Sequence, residues 1–115
     1  MTTAATTTTD ATPIVHIVTW RLNGATPEAR CEQAQQIVQA FEAARHEVPG
    51  LLRMEVGQNL DDAASADGWD LALYMVFASR DAMRAYEMHP SHLRIKALVK
   101  PMRSARGQVD FFLTA

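Results

Sequence analysis

Two groups able to carry protons stand close together between residues 79 and 100, SRDAMRAYEMHPSHLRIKALVK. Ser79 has the side chain of an N-cap, and Ala82, Met83 and Tyr86 follow at helical spacing as one apolar stripe. Pro90 disfavours helical geometry at His89, so this helix is expected to stop near Met88. A second short helix starting at Ser91, or just before it, puts His92, Ile95 and Val99 on one face. The Tyr86 phenol and the His92 imidazole then both turn towards whatever the apolar stripes cover. Such a pair suits acid–base chemistry. An imidazole titrates at about pH 6.5, near working pH, and a positioned general base contributes roughly 10²–10⁴-fold to a rate. The phenol would donate a hydrogen bond to a substrate carbonyl and to the enolate developing from it. The plainer alternative is that Tyr86 and His92 bond to each other or to backbone and close a kinked helix connection.

The remaining candidates carry weaker signals. His16 points inward from a strand, where it is either a satisfied core group, with Asp110 as partner, or a ligand contact. His89 either terminates its helix before the proline or joins the site. Trp20, Leu71, Leu73, Met75 and Phe77 are core or pocket wall. His46, at the end of the first helix, suits the helix dipole when protonated and has no further role. No cofactor or metal is expected: no Gly-rich phosphate loop is present, and His89 and His92 straddle a proline with no carboxylate to complete a ligand set. Cys31 is the single cysteine, which excludes an internal disulfide.

The elements that must position these residues are legible as apolar patterning. Residues 1–13 are Thr- and Ala-rich and are expected to form a flexible tail ahead of a single domain at 14–115. Residues 14–22, IVHIVTWRL, form a strand apolar on both sides, with Ile14, His16, Val18 and Trp20 in one set. Thr26 and Pro27 open a helix that buries Ala34, Ile37, Val38, Phe41 and Val48 and ends at Val48-Pro49-Gly50. Residues 51–60 are a second strand, whose Gly57 marks a bulge or a close backbone approach. A polar connection at 61–68 leads to a third strand at 69–77. The helical stretch from Ser79 follows, and a last strand spans 109–113. The order βαββα(α)β predicts an α+β, ferredoxin-like sandwich with a four-stranded antiparallel sheet and helices on one face. The other sheet face is too apolar for water, and packing it on a second copy covers it. A homodimer is the expected partner arrangement.

Composition narrows the class further. A chain of 115 residues suits one domain. The net charge of −2, with no basic patch interleaved with aromatics, argues against nucleic acid. Charge is uneven: residues 28–70 hold nine acids against three Arg, whereas residues 80–106 hold seven Lys or Arg against two acids. Solvated faces account for that asymmetry, or it helps subunits orient. No run of about 18 apolar residues could span a membrane, and the N-terminus lacks the segments of a secretory signal, so the cytoplasm is the expected location.

A strand histidine in HIVTW, a VPGL turn before a strand ending VGQN, a GWD strand start, then MVFAS, YEMHPSH and a final VDF together resemble the stress-responsive α/β-barrel (Dabb) family. The resemblance runs from His16 to about Phe112, and its most specific piece is Tyr86-x-x-His89-Pro90-x-His92. It implies a ferredoxin-like protomer that dimerises into an α/β barrel. The best-defined relative is olivetolic acid cyclase, a plant enzyme that closes a linear polyketide by aldol condensation. By that resemblance its catalytic Tyr and His fall on Tyr86 and His92, and a pocket-lining His on His16. A second pocket His falls on Leu71, which removes one polar group. The implied function is binding of a small apolar molecule with cyclase- or lyase-like chemistry. The alternative is a non-catalytic dimer.

Overall fold

The computed structural model describes residues 12–60 and 68–114; residues 1–11 of the expected tail and 61–67 of the polar connection lie outside the described residues. The elements run β1 (Ile14–Leu22), α1 (Pro27–Ala44), β2 (Leu51–Gln58), β3 (Leu71–Phe77), α2 (Arg80–Glu87), α3 (Pro90–Val99) and β4 (Arg103–Phe112). This is the βαββααβ order read from the sequence, and the fold is ferredoxin-like. One four-stranded sheet has the order β2-β3-β1-β4, with every pair antiparallel.

Strand alternation divides the sheet into two unlike faces. On β1, Ile14, His16, Val18 and Trp20 stand beside Phe77, Met75, Leu73 and Leu71 of β3, and these apolar side chains belong to the core beneath the helices. Ile37 and Phe41 of α1 and Ile95 and Val99 of α3 pack onto them, with Ile37 and Phe77 wholly buried. The opposite face carries Ile17, Tyr74, Val109 and Phe111, of which Val109 and Phe111 are half exposed. No helix among the described residues is long and apolar enough to cross a membrane.

Four expectations need correction. The helix α1 ends at Ala44, not at Val48, and His46 falls in the turn beyond it; Val48 is buried from that turn. Gly57 marks neither a bulge nor a close approach: it pairs regularly with Ala72 and has open space where a Cβ would stand. The register shift in β2 falls between Leu51 and Arg53 instead. Leu71 rather than Trp69 begins β3, because the side chain of Asp70 turns back to accept a hydrogen bond from the Leu22 amide at 2.7 Å. Lastly, β4 starts at Arg103, not Val109. Its polar first half looks unlike a strand, yet β1 offers a ladder as far as Leu22, which pairs with Arg103. An edge strand tolerates polar residues, since one of its sides faces water.

Candidate functional site

A cavity of about 600 Å³ lies between the helix-covered face of the sheet and the α2–α3 pair. His16, Val18 and Trp20 of β1 and Leu73 of β3 form its floor, and Phe41 reaches it from α1. Met83 and Tyr86 of α2, with His92, Ile95 and Val99 of α3, form the opposite wall. Arg103, Arg106 and Gln108 border it from β4, Lys96 from α3 and Lys100 from the C-cap of α3.

Local sequence signals hold Tyr86 and His92 in place. Ser79 caps α2, its hydroxyl accepting from the Ala82 amide at 3.1 Å. The helix stops at Glu87 because Pro90 follows, and α3 restarts at the proline with His89 as its N-cap. His89 Nδ1 accepts from the Ser91 amide at 3.1 Å. The buried Ser91 hydroxyl donates to Glu47 Oε1 at 2.6 Å, tying α3 to the turn after α1. Across this junction the rings of Tyr86 and His92 lie 4.6 Å apart, and Tyr86 also packs on Phe77 at 5.3 Å.

The two groups are set for different tasks. Burial pushes the Tyr86 phenol well above its ordinary pKa, so it stays a donor at any physiological pH. Its hydroxyl has no hydrogen-bond partner among the described residues. Burial lowers the His92 pKa; the hydrogen bond to Glu87 opposes that shift, while the positive charge of Lys96 adds to it. His92 is therefore neutral near pH 7. Its Nδ1 faces the Glu87 carbonyl oxygen at 3.0 Å and must carry the proton to bond to it, which leaves Nε2 as a free base. His16 is oriented the same way by a carboxylate: Nδ1 donates to Asp110 Oδ1 at 2.6 Å, and Gln108 Nε2 donates to the other Asp110 oxygen at 2.8 Å. The register puts Asp110 directly beside His16.

Of the residues singled out from the sequence, the cavity thus brings together Tyr86, His92, His16, Trp20 and Leu73. Leu71 and Met75 are fully buried core residues outside its lining, and His89 spends its side chain on the α3 cap. Leu71 instead borders a second hollow of about 510 Å³ with Trp69, Gly57 and Tyr74. Sequence reasoning missed the cationic border. Lys96 and Lys100 sit four and eight positions after His92, a signal that was available. Arg103 and Arg106 were hidden because their segment did not read as strand. Among the described residues no group of three His, Cys, Asp or Glu could hold a metal ion.

The family model for the stress-responsive A/B barrel domain (Dabb) matches residues 14–113, and the chain belongs to that family. A comparison with curated proteins finds no significant match. Among solved structures, a dimeric ferredoxin-like protein of unknown function from Thermobifida fusca is 30% identical with a TM-score of 0.76, over 90% of this chain and 92% of the other. A dimeric protein of unknown function and ferredoxin-like fold from Bacteroides fragilis is 25% identical with a TM-score of 0.76, over 88% and 96%. The hydroxynitrile lyase of Passiflora edulis has the same fold at 19% identity, with a TM-score of 0.73 over 90% and 95%.

Proposed function

We propose that this member of the stress-responsive A/B barrel family binds an apolar carbonyl compound and moves a proton on it without a cofactor, in lyase- or cyclase-like chemistry. The observation that carries the reading is the pairing of an unpartnered, protonated phenol with a neutral imidazole at 4.6 Å on the wall of one cavity. His92 Nε2 removes a proton from the carbon next to the carbonyl. The electron pair moves onto the carbonyl oxygen, where the Tyr86 hydroxyl stabilises the enolate by donating to it. The imidazolium then returns its proton, to the same carbon in simple exchange, or, in a cyclisation, to the alkoxide formed when the enolate carbon adds to a second carbonyl of the same molecule. His16, held by Asp110, offers a second base or donor on the cavity floor. The hydroxynitrile lyase of the same fold supports the choice of reaction class.

The working unit in this proposal is a homodimer joined through the open sheet face. Exposed Val109 and Phe111 on that face support it, as do the dimeric relatives at 25% and 30% identity. A second reading rests on the His92–Glu87 hydrogen bond, which closes the α2–α3 connection and could be the whole purpose of the imidazole. Deuterium exchange next to the carbonyl of 2-octanone, followed by NMR, separates the two. The proposal expects exchange above the buffer rate that drops roughly 10²–10⁴-fold in His92→Gln and roughly 10²–10³-fold in Tyr86→Phe. The structural reading expects no exchange in the unaltered protein and only lower melting temperatures in the variants.

A further inference from the structure

Four cations border the cavity, Lys96 on α3, Lys100 at its C-cap and Arg103 and Arg106 on β4, against one acid, Glu87. None of the four forms an ion pair or a side-chain hydrogen bond with the described residues. The nearby Asp110 is already engaged by His16 and Gln108. Elsewhere the molecule does pair its charges: Arg45 with Glu42, and Arg94 with Glu47. Arg80 on α2 also lacks an ion pair among the described residues and rests instead on the Phe112 ring at 5.1 Å, but at the cavity four such cations gather on one border. Strand alternation sends Arg106, Gln108 and Asp110 to the helix side of the edge strand, beside Trp20, Val18 and His16. Helical spacing brings Lys96 and Lys100 down from α3, on the face that carries His92.

The rest of the lining is largely apolar and includes Trp20, Phe41, Leu73, Ile95 and Val99. We infer that the ligand is an amphiphilic anion, with a carboxylate or phosphate headgroup held at the β4–α3 border by Arg106 and its cationic neighbours and an apolar chain lying on Trp20 and Phe41. This rests on the cavity being the ligand site, as proposed above. Two further features favour it. Gathered cations repel one another, and an anion would relieve that repulsion. Loss of hydration and then the adjacent Arg103 depress the Arg106 pKa, Asp110 only partly opposing them, and an arriving anion would act in the same sense as Asp110. A guanidinium also matches a planar or tetrahedral oxyanion with paired N–H donors. The volume lies within the range of small-molecule sites, about 300–1,000 Å³.

Titration calorimetry with octanoate, octyl phosphate and octanamide, which share a chain length and differ in headgroup, tests the inference. At least one anion should bind about tenfold or more tighter than the amide, as hydrogen bonds to charged groups warrant. The tighter of the two identifies the headgroup. That preference should narrow as salt is raised and collapse towards one in Arg106→Gln. Lys100→Gln combined with Arg103→Gln gives the same reading if the single variant misfolds. Octanamide binding as tightly as both anions would overturn the inference while leaving the cavity reading intact, as would a preference undiminished in both variants. If none of the three compounds binds, the cavity reading fails and this inference with it.

Discussion

His92 is the residue on which the proposed chemistry turns, and its environment makes a specific pH prediction. Burial disfavours the imidazolium, so His92 holds its proton less tightly in the folded chain than in the unfolded one. The resulting contribution to stability is complete above the unfolded value of about 6.5. It is lost as pH falls from there through the lower folded value, because the unfolded chain takes up the proton first. Urea unfolding from pH 8 to pH 5 should therefore show a larger loss of stability in the unaltered protein than in His92→Gln. Parallel curves would mean that the imidazole is not desolvated. The same lowered pKa should set the acidic limb of any exchange rate below pH 6.5 or so. Tyr86 and His92 were legible in the sequence because a proline break and helical spacing fix their direction without long-range knowledge. Asp110 as the partner of His16 followed from strand order alone. The roles of Leu71, Met75 and His89 were less legible, since core and cavity wall share one composition, and an N-cap histidine looks like any other.

Among the elements, two helices announced themselves by their caps: Thr26 before Pro27 and Ser79 before Arg80 are in extended conformation with side chains accepting from the first turn, whereas His89, which caps α3 in the same way, reads in the sequence as the end of the helix before it. Their ends were less legible. The helix α1 stops four residues before the Val-Pro-Gly punctuation, where Arg45 reaches out to the Met54 carbonyl of β2 and so serves the turn rather than the helix. Gly50 in that turn is required. Its φ of +80° lies in the left-handed region, and a Cβ there would stand 2.7 Å from the Cβ of Ala82 on α2. Left-handed geometry in a residue other than glycine costs about 1–3 kcal/mol, and the contact with Ala82 adds to it. Gly50→Ala should therefore lower unfolding stability by at least that range in urea titration, and a shifted α2 should weaken ligand binding at Met83 and Tyr86. An unchanged unfolding midpoint would contradict this account. The missed half of β4 has the opposite cause. Arg103 to Gln108 carries no apolar alternation, and only its pairing with β1 makes it a strand. That pairing built the cationic border of the cavity.

At the scale of the whole molecule, the two sheet faces divide the work. One face, with its helices, builds the core and the cavity; the other presents Ile17, Tyr74, Val109 and Phe111, with no helix of the described residues over them. A two-fold axis through that face would use each of these residues twice, and a stable interface buries about 1,600 Å² in total. The site would then lie on the far side of each sheet from the partner, so assembly would stiffen the cavity floor without contributing side chains above it. Phe111 is the most informative test, because it pairs with Val15 near the end of the β1–β4 ladder and its ring is half exposed. Phe111→Glu would bury two carboxylates in an apolar contact, and unpaired buried charge is strongly unfavourable. Sedimentation at micromolar concentration should show the unaltered chain as a dimer and Phe111→Glu as a monomer. Leu93 is also half exposed but lies on α3, away from the sheet. Leu93→Glu should leave the dimer intact. Were Leu93→Glu to dissociate the protein and Phe111→Glu not, the helices rather than the sheet would form the interface.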